Sequence, residues 1–382
     1  MRSWTRRILR IVGYAASLAV AAATVCAAYG GAADPARSTA PAILAMAFPL
    51  FVGLSGAVML AALLTRQWRM ALVPALALLC SAGPLAGYAP VNLVKKKISD
   101  QDSSRVFTVM SYNVANLVGV SAGPVPAEKY RAPGAPLNEI VEYIIASGAD
   151  IVVTQEFPVM RPDTDLGLTA AMIDTLATLY PHSLFPRPTP SNRSAYRCKI
   201  FSRFPLRQVE LPGTTGSSEW SAAMVDICGM ETLVVDVHLQ SIGLTPQDKE
   251  LYREFTEGEG RGKIRQARES LIGKVSRAMR FRAGQAETLR RAIDSIGARN
   301  VIVAGDFNDI PGCYAIRRIA GDDFRNAFDD AANGPMITFH SDRFYFHIDH
   351  ILYRGAMEAI DLRRGGCSES DHYPVVATFL KE

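Results

Sequence analysis

The sequence begins with three long apolar stretches. They cover residues 11–33, 41–64 and 70–89, and short polar segments separate them. Each stretch reaches the ~20 residues that a helix needs to cross a bilayer. The first stretch follows several arginines and ends in small residues, so it also fits a cleavable signal peptide. Because two further stretches follow it, we expect an integral membrane protein in either case, with three transmembrane helices over residues 1–92.

The hydrophobic pattern changes after a short charged linker at residues 93–104. From residue 105 to residue 382, short β-branched runs bounded by turn residues alternate with helical patterns, which indicates one mixed α/β domain. The clearest predicted strands cover residues 106–112, 150–154, 232–237, 300–304, 348–353 and 375–379. Helices are predicted at residues 138–147, 170–179 and 263–296.

Charges beside the apolar stretches predict the orientation of the anchor. Arginines precede the first stretch, and Arg66 with Arg69 lies between the second and the third. Basic residues stay on the cytoplasmic side, so three crossings place the C-terminal domain outside the cytoplasm, at a bacterial inner membrane. Three lysines that begin at Lys95 favour the opposite orientation, but long domains translocate largely regardless of such charge.

Charge and cysteine content narrow the functional classes. The chain has 41 Lys and Arg residues, 37 Asp and Glu residues and six cysteines. Asp34 is the only acidic residue among the first 97, so the rest of the chain is net acidic. This argues against a broad basic face for nucleic acid. No C-x-x-C pair suggests zinc, and a bridge between Cys198 and Cys228 is conceivable outside the cytoplasm, although sequence gives no connectivity.

Several predicted strands lead directly into polar residues of the types used in catalysis. Five strands lead into Asn113, Glu156, His238, Asp306 with Asn308, and Asp349, and a sixth group, Asp371 with His372, precedes the last strand. This repetition places acidic residues along one rim of a sheet. Grouped carboxylates raise each other's pKa unless a cation shares the space. Their oxygen ligands favour Mg²⁺, or Mn²⁺, over zinc.

Two histidines lie beside these acids. His238 and His372 are candidates for the base that prepares water, or for groups that stabilise charge on phosphoryl oxygens. Asp349 could hold the imidazole of His372 in one tautomer. Taken alone, His238 would equally fit a hydrogen-bonded core histidine. His350 should point to the opposite face of its strand from Asp349, which indicates a structural role.

The order of the motifs N, QE, HL, GDFN, IDH and SDHYPV resembles the endonuclease/exonuclease/phosphatase superfamily, which includes deoxyribonuclease I-like enzymes. The resemblance extends from Val106 to the C-terminus. It implies a four-layered αββα sandwich, two β-sheets flanked by helices, after the membrane anchor. It also implies a Mg²⁺-dependent hydrolase of phosphate esters.

The resemblance also implies a role for each matched position. Glu156 would be the main metal ligand, with Asn113 and Asp371 close to the ion. His238 and Asn308 would contact the scissile phosphate, Asp306 would orient or activate water, and Asp349 with His372 would form a supporting dyad. Tyr196 and Arg197 precede the strand FSRFPL, where members of the family often contact substrate.

The substrate and two other questions stay open at this point. A nuclease, a phospholipid phosphodiesterase and an inositol-phosphate phosphatase share the same chemistry, and membrane proximity favours a lipid or small phosphoester. A membrane-tethered binding module without activity is the rival of another class. Residues 261–291 contain ten bases and two acids, so this helix is either a solvated exterior helix or a surface for lipid head groups or phosphate-rich substrate.

Overall fold

The computed structural model describes most of the chain. The residues outside the description are 1, 94–97, 118–137, 159–168, 185–195, 213–218, 246, 249, 251–263 and 342–343. Side chains at some further positions are also outside it, notably those of Tyr196 and Arg197 and of residues 264–270. The chain divides into two compact units. One comprises Met1–Ala89, Gly243–Ala283 and Pro311–Arg317, and the other comprises Pro90–Ile242, Gly284–Ile310 and Arg318–Glu382.

The first unit begins with five apolar helices. They are α1 (Arg2–Gly30), α2 (Ala40–Met46), α3 (Phe48–Leu64), α4 (Trp68–Cys80) and α5 (Ala82–Tyr88). Among the described residues, one helix, over Arg10–Gly30, is long and apolar enough to cross a membrane by itself. The pairs α2–α3 and α4–α5 are each bent by 62°, and up to three spans result if each pair counts as one.

A proline lies close to each bend. Each apolar stretch after the first reads as one continuous helix by hydropathy, whereas the structure breaks it at Ala47 and at Ser81. Pro49 and Pro84 lie just after these breaks. Because proline has no amide hydrogen, neither residue donates the usual helical hydrogen bond to the carbonyl four positions earlier.

The second unit is built on two six-stranded sheets. The first has the order β11-β12-β1-β2-β4-β3 and the second β5-β6-β7-β8-β10-β9. The strands are β1 (Val106–Asn113), β2 (Ile151–Pro158), β3 (His182–Leu184), β4 (Tyr196–Ser202), β5 (Leu206–Val209), β6 (Glu219–Ile227), β7 (Met230–His238), β8 (Asn300–Asp306), β9 (Arg325–Asn326), β10 (Asp349–Arg354), β11 (Met357–Arg364) and β12 (Val375–Lys381). Both sheets are mixed, since β1 is parallel to β2 and β7 is parallel to β8.

Helices complete the layers. They are α6 (Glu139–Ser147), α7 (Ala170–Leu179), α8 (Ile264–Ile296), α9 (Tyr314–Ala320) and α10 (Ala327–Ala331), and the division between the two units falls within α8 and within α9. Apolar side chains on the inner faces of the two sheets form one core, and α6 and α7 cover the outer face of the first sheet. Gln285 of α8 accepts a hydrogen bond from the Gln240 amide, just beyond β7, at 3.0 Å. Two mixed sheets flanked by helices are the predicted αβ sandwich.

The possible bridge between Cys198 and Cys228 is absent. Both cysteines are free thiols. Cys198 is buried near the first residue of β6, with its sulfur 3.5 Å from the carbonyl oxygen of Glu219. Cys228 is exposed in the turn that follows the last residue of the same strand. The nine-residue length of β6 separates the two thiols.

Candidate active site

Strand register aligns the predicted site residues along one end of the sandwich. In the second sheet His238 is opposite Asp306, and Asp306 is opposite Asp349, so β7 and β8 end and the antiparallel β10 begins at the same level. Asn113 ends β1 in the first sheet and is opposite Gln155 of β2. Since alternate residues of a strand share one face, these side chains continue the rows of the inner core.

A bulge in β2 gives Glu156 its direction. Ile151 and Val153 of this strand belong to the inner core, so regular alternation would turn Glu156 to the outer face. The pairing of β2 with β4 shifts between Thr154 and Phe157, and Glu156 has a φ of 54°. This irregularity turns the carboxylate back towards the site. Its Oε1 lies 3.3 Å from Nδ2 of Asn113 and 3.7 Å from Nε2 of His238.

Asp306 lies at the centre of the cluster and is 1% exposed. Its Oδ2 accepts a hydrogen bond from Nδ2 of Asn113 at 3.1 Å. Nε2 of His238 and Nε2 of His372 lie 3.7 and 3.6 Å from the same oxygen. Burial raises the pKa of Asp306 to about 6, an effect that the His372 and His238 imidazoles oppose and the Asp349 carboxylate reinforces.

His372 and Asp349 form a buried dyad. Nδ1 of His372 lies 2.9 Å from Oδ2 of Asp349. Burial opposes the charge on the imidazole, but the carboxylates of Asp349 and Asp306 outweigh it and raise the pKa of His372 to about 10. The hydroxyl of Thr338 accepts hydrogen bonds from the amides of Ile348 and Asp349 at 3.0 and 3.1 Å, which fixes the start of β10.

Two loops carry Asn308 and Asp371. Asn308 has a φ of 51°. Its amide donates to Oδ1 of Asp306 at 2.7 Å, and its Nδ2 donates to the carbonyl oxygen of Leu239 at 3.0 Å. Asp371 follows Ser370, whose hydroxyl donates to the Asn113 carbonyl at 2.6 Å and accepts from the His372 amide at 3.2 Å. Sequence reasoning missed this serine, although it stands inside the SDH motif.

Three further residues from the sequence analysis are Tyr196, Arg197 and His350. Tyr196 and Arg197 begin β4, where their backbones pair with Pro158 and Phe157, and their side chains lie outside the described residues. His350 turns away from the cluster, as the alternation of its strand predicts. It is 1% exposed, and its Nε2 lies 3.0 Å from the carbonyl oxygen of Asp309.

The donor set fits a hard divalent cation. Within the described part of the chain, Asp306, Asp349 and His372 offer ligand atoms within 4.8 Å of one another. Nδ1 of His372 already contacts Asp349, so oxygen atoms dominate what is left for an ion. The buried Oδ1 of Asp349 has no hydrogen-bond partner. Glu156 is about one-third exposed and adds a carboxylate beside the amide of Asn113. Such oxygen donors are those that Mg²⁺ and Mn²⁺ prefer.

Comparisons with known proteins bear on the class. The sequence profile of the Endonuclease/Exonuclease/phosphatase family matches residues 110–372. A second profile, for a domain of unknown function, matches residues 6–88. No curated protein matches the chain.

Similar solved structures include truncated Caenorhabditis elegans TDP2, which is 17% identical with a TM-score of 0.46 over 74% of this chain and 100% of that chain. The human Nocturnin catalytic domain with bound sulfate anion is 19% identical with a TM-score of 0.48, over 76% of this chain and 97% of that chain. An endonuclease/exonuclease/phosphatase from Beutenbergia cavernae is 21% identical with a TM-score of 0.47, over 72% of each chain.

The family profile and the sandwich define a hydrolase of the phosphodiesterase and nuclease type. Because the profile spans more than half of the sequence, the chain belongs to the endonuclease/exonuclease/phosphatase family. The resemblance inferred from the motifs is therefore confirmed.

Proposed function

We propose that the protein is a membrane-anchored, Mg²⁺-dependent hydrolase of phosphate esters that acts outside the cytoplasm. The observation that carries the chemistry is the environment of Asp306. One oxygen of this carboxylate lies within 3.7 Å of the side-chain nitrogens of Asn113, His238 and His372. A buried carboxylate with a raised pKa, set among imidazoles at the edge of a sheet, suits proton transfer to or from water.

Each side chain then has a role in the attack of water on phosphorus. Asp306 orients the attacking water and accepts its proton. His238 and Asn308 donate hydrogen bonds to the phosphoryl oxygens, whose negative charge grows in the transition state. Asp349 holds His372 with Nε2 directed into the site, and the imidazolium adds positive charge there. Tyr196 and Arg197 are proposed to contact the rest of the substrate.

Glu156 and the neighbouring Asn113, together with Asp371 of the loop before β12, would hold the metal ion. When bound, Mg²⁺ neutralises charge on the phosphate and on the grouped carboxylates. The bulge that turns Glu156 inward and the bond from Ser370 to the end of β1 support this assignment, because both bring ligand-bearing segments to the same rim.

The anchor is proposed to consist of three spans, α1, α2–α3 and α4–α5, within residues 1–92, followed by a linker over residues 93–104 and the catalytic domain over residues 105–382. Contacts within the first unit support three successive crossings of the membrane. Thr39, just before α2, donates a hydrogen bond to Ser276 of α8 at 3.0 Å. A Cβ on Gly31, just after α1, would overlap the carbonyl oxygen of Gly312. The end of the first span and the start of the second therefore contact segments from the C-terminal part of the chain, which supports placing those segments on the same side of the membrane.

The orientation can be tested in intact cells. With the N-terminus in the cytoplasm of a bacterium, protease added to spheroplasts should cleave the C-terminal domain, and alkaline carbonate should leave the chain in the membrane pellet. Protection of the domain until the cells are lysed would refute the outside placement, and release by carbonate would refute the anchor.

The substrate class is proposed from the anchor. The chain is held at the bilayer, and the part of it that follows the anchor is net acidic. Both features favour a phospholipid, an inositol phosphate or another small phosphoester over long nucleic acid. The purified full chain should be assayed on DNA, RNA, phospholipid vesicles and inositol phosphates. Turnover confined to DNA or RNA would instead assign a nuclease.

The decisive assay for activity uses a chromogenic phosphodiester and a phosphomonoester with Mg²⁺ and with EDTA. We expect hydrolysis that EDTA abolishes and added Mg²⁺ restores. Replacement of Glu156, Asp306 or His372 by Ala should remove this hydrolysis while the folded circular dichroism spectrum is kept. The absence of any turnover on the whole substrate panel would favour the membrane-tethered binding module.

A further inference from the structure

A buried polar layer lies directly beneath the candidate site. Asn113 and His238 end their strands, and the residues two positions earlier on the same faces are Ser111 and Asp236. Gln155 precedes Glu156 in β2. Ser111, Gln155 and Asp236 are each 0% exposed. The next inward residues, such as Val109, Val153 and Val234, belong to the apolar core. The layer therefore separates the site from the core.

One hydrogen bond in this layer joins the two sheets. Nε2 of Gln155, in the first sheet, donates to Oδ1 of Asp236, in the second, at 2.6 Å. Burial raises the pKa of the Asp236 carboxyl well above its usual range, and the hydrogen bond from Gln155 opposes this rise. Such a hydrogen bond is stronger away from water than in it. A second contact, at 3.5 Å, runs from the same Nε2 to the hydroxyl of Ser111.

The bond lies next to two groups of the site that belong to different sheets. Glu156 follows Gln155 in the bulge, where the register of β2 with β4 shifts. His238 ends β7, two residues beyond Asp236 on the same face. The two side chains belong to different sheets, and Oε1 of Glu156 lies 3.7 Å from Nε2 of His238. Among the residues that the structure describes, no backbone ladder connects the two sheets, so the separation of Glu156 from His238 depends on contacts across the interior.

We propose that Gln155 and Asp236 are positioning residues, whose hydrogen bond across the sheets fixes Glu156 relative to His238 and so sets the affinity of the site for its metal ion. This inference rests on the proposed metal-dependent hydrolysis. Partners that orient a metal ligand from outside its coordination sphere typically change affinity or activity 10- to 100-fold, roughly, when they are removed.

The test measures metal binding without substrate. The full chain in detergent is titrated with MgCl2 while its thermal unfolding is followed, which gives the Mg²⁺ concentration at half-maximal stabilisation. Gln155→Met keeps the volume but removes the donor. We expect it to raise that concentration by about 10- to 100-fold, and to raise the Mg²⁺ requirement for turnover of the chromogenic ester to the same extent. Asp236→Asn keeps an acceptor oxygen for Gln155, so its Mg²⁺ midpoint should change much less.

A reversed pair separates positioning from simple loss of packing. In the double variant Gln155→Glu with Asp236→Asn, the amide at position 236 donates to the carboxylate at position 155, and one carboxylate remains in the layer. We expect the Mg²⁺ midpoint of this double variant to lie closer to the wild-type value than the midpoint of Gln155→Met does. The matched control is Thr232→Val, which removes a buried hydroxyl with one hydrogen bond at the far end of the same strand. It should lower the melting temperature but leave the Mg²⁺ midpoint unchanged.

Each outcome decides between the two proposals. A wild-type chain that neither responds to Mg²⁺ nor hydrolyses any ester overturns the proposed function. If the wild type responds and Gln155→Met responds at the same Mg²⁺ concentration, only the positioning role is wrong. If Gln155→Met does not fold, the double variant decides: a wild-type midpoint supports the proposal, and a midpoint raised by tenfold or more overturns it.

Discussion

Nδ1 of His372 and Oδ2 of Asp349 are 2.9 Å apart in a part of the interior where neither side chain exceeds 5% exposure. A buried imidazole held by one carboxylate has a fixed tautomer and orientation. Nε2 of the same ring then lies 3.6 Å from Asp306. The pair therefore fixes the orientation of the His372 ring, and this ring supplies positive charge next to Asp306.

We predict that Asp349→Asn lowers kcat by about 10²- to 10⁴-fold, because the amide can hold the imidazole in the wrong tautomer and supplies no negative charge. The measurement is steady-state hydrolysis of the chromogenic ester at saturating Mg²⁺. Asp322→Asn, at an exposed carboxylate, is the control and should behave as wild type. A kcat within threefold of wild type for Asp349→Asn would show that the dyad has no part in turnover.

Removal of the charge on Glu156 should abolish stabilisation by metal. A ligand that binds only the folded chain adds about 2.7 kcal/mol to the free energy of unfolding at 100 times its Kd. We expect Glu156→Gln to lose most of this increment in a Mg²⁺ titration, and to unfold at the wild-type temperature in EDTA. Glu231→Gln, at an exposed position near the start of β7, should keep the full increment. A normal response of Glu156→Gln would assign the main ligand elsewhere.

A glycine sets the approach of β8 to β7 immediately before the site. Gly305 has a φ of 151°, and a Cβ there would overlap the carbonyl oxygen of Val237. We predict that Gly305→Ala lowers the free energy of unfolding by roughly 3 kcal/mol or more, because backbone must move on both strands. Gly284→Ala, in α8 with open space around it, should raise the free energy of unfolding by about 0.5–1 kcal/mol. Chemical denaturation measures both, and equal effects would contradict the packing argument.

The sequence predicts the parts of the site that follow from strand endings. Asn113, His238 and Asp306 each terminate a regular strand, so alternation and register were enough to place them at one rim. The direction of Glu156 was not available in this way, because it depends on a bulge opposite β4. The bond between Gln155 and Asp236 was equally hidden, since it forms only when two sheets pack face to face.

In the anchor, too, some features follow from the local sequence, whereas others depend on segments that are distant in the chain. Hydropathy located all three apolar stretches, but it averages over the prolines that break the second and third of them. Pro49 and Pro84 lie at the two bends, but Pro74 lies within α4 without breaking it, so the missing amide hydrogen of a proline does not by itself locate a bend. The free thiols of Cys198 and Cys228 required the whole length of β6 to be known.

A buried lysine gives the protein a pH-dependent stability. The ammonium of Lys199 lies 5.0 Å from the ring centre of Phe157 and 4.3 Å from that of Phe201. Burial lowers its pKa to about 7. The folded chain then binds fewer protons than the unfolded chain between pH ~7 and ~10.4, so the free energy of unfolding rises with pH across that window, by on the order of 3 kcal/mol.

Lys199→Met should remove this rise and stabilise the chain at pH 7, because the apolar side chain packs between the same two rings without a charge to desolvate. The measurement is chemical denaturation at pH 7 and at pH 10. Lys381→Met, at the end of β12, should keep the wild-type difference between the two pH values. A Lys199→Met chain whose free energy of unfolding still rises by the wild-type amount would place the titrating group elsewhere.

The basic helix offers a test of how the first unit meets lipid. Arg277, Arg280 and Phe281 are exposed on α8, with Phe281 58% exposed. They follow Ser276, which bonds to Thr39 at the start of the second apolar segment. Two arginines beside an exposed aromatic ring suit anionic head groups, and each basic residue near such a surface contributes about 1 kcal/mol.

We predict that Phe281 lies at the lipid boundary when the surface is anionic. The Phe281→Trp variant should show more tryptophan fluorescence than the wild type. In proteoliposomes of brominated phosphatidylglycerol this additional fluorescence should be quenched, and in brominated phosphatidylcholine it should be quenched less. Adding Arg277→Glu and Arg280→Glu should abolish that difference, because the two positions beside Phe281 then carry charge of the same sign as the lipid. Adding Arg207→Glu and Arg299→Glu, an equal change of net charge elsewhere, should leave it intact. Equal quenching in both lipids for every variant would return α8 to a solvated exterior helix.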